Sequence, residues 1–256
     1  MNMAKVIAIA NQKGGVGKTT TAINLSSCVA YRGKKVLLID LDPQGNATTG
    51  LGINKNETQL SSYDILINGE HINNVTVATK QPTLFLCPSG MSLAGAEVEL
   101  VNEERREFKL KDAIEKIKDN YDFIFIDCPP SLGFITLNAL TAANTVLVPI
   151  QCEFYALEGV SQLVETVKLV NAGLNPSLKT EGIVMTMFDI RTRLSIEVVE
   201  EVRRHFGPLV YRTIIPRNIR LSEAPSYGLP ILLYDQSSKG TEAYLQLADE
   251  FLSSLK

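Results

Sequence analysis

Runs of apolar residues with almost no polar interruption recur along the chain. Residues 6–10, 36–39, 123–126 and 146–150 have the pattern of strands covered on both faces rather than one. Further strands are expected at 83–87, ending at Pro88, and at 181–187 and 210–215. Between them lie segments of helical character at 22–30, 61–66, 102–120, 156–172 and 241–256, the second opened by the capping residue Ser61. No long linker, repeat or low-complexity stretch breaks this alternation. The expected fold is therefore α/β, a single doubly wound domain over residues 1–256, with a mostly parallel twisted sheet flanked by helices on both faces.

Ligands bind such sheets outside the carboxyl ends of the strands, so the residues just after each apolar run carry the chemistry. The first run leads into Asn11-Gln-Lys-Gly-Gly-Val-Gly-Lys18-Thr19-Thr20 and then a helix. Its glycines let backbone N–H groups turn inward around an anion, and the helix start adds its positive dipole end. Lys18 brings a full charge to the β- and γ-phosphates, and Thr19 is placed to offer its hydroxyl to Mg²⁺. The second run ends in Asp40-Leu-Asp42-Pro43-Gln44-Gly45, whose two carboxylates can hold a Mg²⁺ water shell and orient an attacking water. The apolar run at 123–126 ends in Asp127-Cys-Pro-Pro-Ser131, a Walker B arrangement that aims Asp127 at Mg²⁺-bound water or at Thr19.

The usual phosphate loop has a glycine where this chain has Gln12, and a second lysine, Lys13, precedes Lys18 by five residues. That feature resembles the deviant Walker A ATPases, the ParA and MinD group, and the D-x-D-P-Q-G and D-C-P-P-S segments are similar to that group's two switch loops. The resemblance implies that Lys13 reaches the partner's nucleotide across a sandwich dimer. It implies that Asp42 is the hydrolytic residue and that Asp40, Asp127 and Thr19 serve the metal, mainly through water. The nucleotide set is then Lys13, Gly14, Gly15, Val16, Gly17, Lys18, Thr19 and Thr20, with Lys13, Lys18 and Asp42 catalytic. The run from Gln151 to Gly159 also matches the family, and makes Glu153, Tyr155 and Glu158 candidate dimer contacts.

Ile215-Pro-Arg-Asn-Ile-Arg-Leu-Ser-Glu-Ala-Pro-Ser226 resembles chromosomal ParA proteins of the Soj type. There, Pro216, Arg217 and Asn218 would form the adenine pocket, so ATP is implied, with Mg²⁺. Arg191 and Arg220 match arginines that bind DNA without sequence preference, with Lys239 as a third contact. The family picture is an ATP-dependent partitioning protein that hydrolyses ATP slowly and coats nucleoid DNA as a homodimer. A ParB/Spo0J-type centromere-binding protein stimulates release, and a replication initiator is a further candidate partner.

Composition adjusts this picture in places. Residues 189–220 hold seven arginines against four acidic residues, a local net of +3 in a chain whose formal charge is −3, so the rest carries −6. A basic rim on an acidic body suits phosphate contacts that weaken with salt. No apolar stretch is long enough for a membrane span, and no signal peptide is expected. The last helix lacks the basic amphipathic character of MinD-type tails, so no membrane partner is expected and the location read is cytoplasmic, with the nucleoid. Only ten residues precede Asn11, which leaves no room for an N-terminal helix-turn-helix domain. The four cysteines are far apart, without a C-x-x-C pair, and read as reduced core residues.

Overall fold

A computed structural model describes residues 3–153 and 156–254, with residues 156–162 given by backbone alone. Among the described residues eight strands form one sheet: β1 (Lys5–Ile9), β2 (Val36–Asp40), β3 (Val77–Ala78), β4 (Leu84–Cys87), β5 (Phe123–Asp127), β6 (Thr145–Gln151), β7 (Lys179–Phe188) and β8 (Val210–Pro216). Their order across the sheet is β3-β4-β2-β5-β1-β6-β7-β8, and every pairing is parallel except the short β3–β4 hairpin at one edge. The mostly parallel sheet expected from the apolar runs is thus present. The helices are α1 (Lys18–Tyr31), α2 (Asn46–Gly50), α3 (Ser62–Leu66), α4 (Ile72–Val75), α5 (Leu93–Glu99), α6 (Lys109–Glu115), α7 (Phe134–Ala142), α8 (Ala156–Gly173), α9 (Arg193–Phe206), α10 (Ile219–Glu223), α11 (Ile231–Tyr234) and α12 (Lys239–Ser253).

The period of two along each strand sends its side chains alternately to two cores. Ile7, Ile9, Val36, Leu38, Phe123 and Phe125 face α1 and α12, where Phe251 and Tyr244 close the layer. Val6, Ala8, Leu37, Ile39, Ile124 and Ile126 face the opposite layer, built from residues such as Leu93, Leu110, Leu140, Leu163 and Val202. Burying each large apolar side chain contributes about 1.5–3 kcal/mol, so central strands need apolar residues at every position.

Parallel register brings strand ends together. Asp40 on β2 and Ile9 on β1 both align with Asp127 on β5. The chain leaves β1 toward β2 on one side, while its other neighbour β6 leads on to β7 on the opposite side, so the loop after β1 lies at a topological switch point, where such sheets leave a crevice.

One local expectation needs correction. The helix expected over 102–120 is helical in the α sense only at Lys109–Glu115. Arg105 has a positive φ of 54°, which stops a continuous helix, and Asn138 of α7 takes over the exposed backbone. Its amide donates to the Arg106 carbonyl at 2.7 Å and accepts from Leu110 N–H at 3.1 Å. His71, just before α4, caps that helix by accepting from Asn73 N–H.

Candidate nucleotide site

The loop after β1 is held open by its own side chains. Gly15 and Gly17 have φ of 75° and 85°, the left-handed region, so the inward-turning backbone needs glycine there. Asn11, buried at the end of β1, donates to the Pro149 carbonyl at 2.8 Å and accepts from Lys13 N–H at 3.0 Å. The Thr186 hydroxyl on β7 lies 2.8 Å from the Val16 carbonyl and 3.1 Å from that of Ile150, pinning the loop from below. Lys18 is buried and its ammonium donates to the Lys13 carbonyl at 3.1 Å. Burial lowers its pKa, an effect opposed chiefly by the nearby Asp127 carboxylate. Lys13 is directed differently: its ammonium is 3.4 Å from Glu153, at the loop's rim. Tyr155 and the Glu158 side chain lie outside the described residues.

Three carboxylates meet beside this loop. Asp40 is fully buried; it accepts from Asp42 N–H at 3.1 Å and from the Thr48 N–H and hydroxyl at 2.8 and 2.7 Å. Burial still pushes its carboxyl up to about 6, because those hydrogen bonds only partly replace water. Asp127 is also raised well above the usual carboxylate range, by burial first and by the adjacent Asp40 second. Both Asp127 oxygens are buried without a full hydrogen bond, and the nearby Thr19 hydroxyl and Lys18 charge only partly offset this. A hydrated divalent cation would supply the missing partners. Among the described residues no three His, Cys, Asp or Glu converge as direct ligands, so the donor set suits a cation held by Thr19 and by carboxylates acting through water. Asp42 is half-exposed at the mouth, its carboxylate accepting from Gln44 N–H at 2.9 Å.

On the other side of the loop is a cavity of about 530 Å³. Pro216, Arg217 and Asn218 line it with Gly17 and Thr20, so residues some two hundred positions apart in sequence share one wall. Arg217 N–H donates to the Phe188 carbonyl at 2.9 Å, and Asn218 caps α10 by accepting from Arg220 N–H at 2.8 Å. Met187, Ile215, Leu221, Pro225 and Tyr244 give the cavity an apolar lining beside those polar groups.

The arginine rim follows the ends of β7 and β8. Arg191 pairs with Asp189 at 2.7 Å, while Arg220 pairs with Glu223 at 2.8 Å and Asp235 at 3.4 Å. Both guanidiniums are thus held by carboxylates of their own chain. Lys239 is exposed at the first turn of α12, which Ser238 caps.

A family model described as an AAA domain matches residues 4–180. The sporulation initiation inhibitor protein Soj of Bacillus subtilis is 57% identical over 248 residues, 97% of this chain and 98% of that protein. The chromosome partitioning protein ParA of Myxococcus xanthus is 54% identical over 98% of this chain and 88% of its own length. The chain belongs to the ParA/Soj family of chromosome-partitioning ATPases.

Solved structures agree on the architecture of this ParA/Soj chain. A cobyrinic acid a,c-diamide synthase from Mycobacterium smegmatis with bound ADP and magnesium superposes with a TM-score of 0.87 at 38% identity, covering 99% of this chain and 96% of that one. The cell division ATPase MinD of Pyrococcus furiosus gives 0.82 at 26%, covering 99% and 100%. Leu247, Ala248 and Phe251 of α12 are buried, and no described helix is long and apolar enough to cross a membrane. Sequence reasoning missed Thr186, Met187 and Tyr244. Thr186 and Met187 end an apolar run with no motif of their own, and Tyr244 reads as one more core position of an amphipathic helix. All four cysteines are buried and free, as their spacing suggested.

Proposed function

We propose that this protein is an ATP-driven DNA-partitioning switch whose ATP-bound form is a sandwich dimer. The observation that carries the reading is the division of labour between two lysines. Lys18 is drawn into the loop, whereas the Lys13 ammonium points to the rim at Glu153, where a second subunit could receive it. The nucleotide is ATP: the glycine loop binds its phosphates, and the slot beside Pro216, Arg217 and Asn218 takes its base. Asp40, Asp127 and Thr19 would hold Mg²⁺ through its waters, and the ion would spread the charge that develops on the phosphates. Asp42 orients the attacking water. Positioning and charge with no strong base give slow basal hydrolysis, which leaves room for stimulation by a ParB-type protein and release afterwards.

Arg191, Arg220 and Lys239 form the DNA contact in this reading. Phosphates would displace Asp189, Glu223 and Asp235 from the two arginines, so binding is sequence-independent and sensitive to salt. The test is binding to nonspecific duplex DNA with ATP, ADP or no nucleotide, over a salt series. Losing Arg220 from both subunits of a dimer removes two phosphate contacts, so Arg220→Ala should flatten the slope of log K against log salt by about 1.8 without changing ATP affinity. DNA binding indifferent to nucleotide, or a slope unchanged by Arg220→Ala, would sink this output. The 38%-identical synthase supports a second reading, an ATP-using biosynthetic enzyme, which turnover of cobyrinic acid by the purified protein would favour.

A further inference from the structure

The connection from β4 to α5 touches both nucleotide-facing loops, although the motifs of the site do not include it. Ser89 follows β4 and is fully buried. Its hydroxyl donates to the Asp42 carbonyl at 2.8 Å, and its N–H donates to the Thr48 hydroxyl at 2.9 Å. The Thr48 hydroxyl donates in turn to Asp40 at 2.7 Å. The Thr48 hydroxyl donates one way and accepts the other, and so links Ser89 to Asp40 in a closed circuit around the Asp42 backbone. The fit is tight: a Cβ at Gly45 would come within 2.9 Å of the Ser89 carbonyl, and Gly45 already has a φ of 61°.

Eight residues later, Glu97 on α5 reaches the other loop. Its carboxylate accepts from Phe134 N–H at 2.8 Å and from Ile135 N–H at 3.3 Å, capping α7 where the Asp127 loop ends. A side chain at Gly133 would collide with the same carboxylate. The start of α7 therefore has its free N–H groups met by a residue of another element.

We infer that the β4–α5 connection is a brace that sets both loops for hydrolysis, with Ser89, Thr48 and Glu97 as positioning residues rather than groups that touch the nucleotide. This rests on the reading of Asp42 as the hydrolytic residue. A loop carrying a water-orienting carboxylate needs its backbone held to a fraction of an ångström, and a displacement near 1 Å can cost about 100-fold in rate. Among the described residues no other side chain bonds the Asp42 carbonyl: its second partner there is the backbone N–H of Gly45, inside the same turn.

The experiment is single-turnover ATP hydrolysis by the full chain, with ATP affinity measured separately on each variant. Ser89→Ala, Thr48→Val and Glu97→Ala should each slow hydrolysis of bound ATP by about 10- to 100-fold while ATP affinity stays at the wild-type value. Thr48→Ser, which keeps the hydroxyl, should restore the rate, a recovery that a loss of packing alone would not show. Asp42→Ala is the control for the parent reading. If Asp42→Ala is inactive and Ser89→Ala or Glu97→Ala hydrolyses at the wild-type rate, the brace is refuted. Loss of affinity and rate in equal measure also refutes it, since that reports a general loosening. If Asp42→Ala itself keeps the wild-type rate, the hydrolytic assignment falls and takes the brace with it.

Discussion

Thr186→Val isolates one hydrogen bond under the phosphate loop. Valine matches threonine in shape, so the change opens no cavity; it removes the hydroxyl that lies 2.8 Å from the Val16 carbonyl and 3.1 Å from that of Ile150. Thr186 is 2% exposed, so water does not replace the lost donor. Leaving a buried acceptor unmet costs about 1–3 kcal/mol. With an unfolding entropy of about 2.1 cal/mol/K per residue, a chain of this length has roughly 0.5 kcal/mol/K at its midpoint, so a 2 kcal/mol loss lowers Tm by about 4 °C. Because Val16 belongs to the loop itself, part of that loss should appear in binding, and ~1.4 kcal/mol there is a tenfold weaker ATP affinity. Thermal unfolding followed by circular dichroism and ATP titration measure the two effects, with Thr186→Ser as the variant that keeps the hydroxyl. An unchanged Tm and an unchanged affinity in Thr186→Val would refute the claim that this hydroxyl braces the loop. A lowered Tm with unaltered affinity would make it a bond of the sheet alone.

Two further outcomes follow from the same structure. Phe251, fully buried where α12 meets β5, lies 5.4 Å from the Phe123 ring and 5.7 Å from that of Phe125, so Phe251→Ala should cost about 3–5 kcal/mol and lower the urea midpoint sharply. Asp40 titrates near 6 because burial disfavours its charge, and a cation nearby restores that charge and drives the proton off. Calorimetry at about pH 6 in buffers of different ionisation heat should therefore show proton release when ATP binds with Mg²⁺, and affinity should rise as pH increases through that pKa. Proton uptake would contradict the assignment. The sign for folding is set the same way: with the folded pKa above the unfolded value of 3.8, the native state holds the extra proton between those values. Stability from this group therefore declines as pH rises through about 6.

Much of the site was legible because its chemistry is local. A glycine loop between a strand and a helix, and carboxylates at strand ends, are read from neighbouring residues, and the apolar runs set the parallel sheet through the need to cover both faces. The sequence alone therefore determined the fold class and where the glycine loop, Lys18, Asp40, Asp42 and Asp127 fall relative to the strand ends. Tertiary structure decided what depends on residues far apart in the chain. Register across β1, β2 and β5 put Asp40 beside Asp127 in the buried interior, where burial first of all raises both carboxyls. The slot between Gly17 and Tyr244, the Thr186 brace and the Ser89 circuit join segments separated by tens to hundreds of residues, and no motif marks such pairs. Charge counting found the arginine rim but not that Asp189 and Glu223 already hold its two leading members. The break at Arg105 was hidden for the same reason: a periodic pattern shows which face is apolar, while a partner such as Asn138, 28 residues from Leu110, determines where the backbone can afford to stop being a helix.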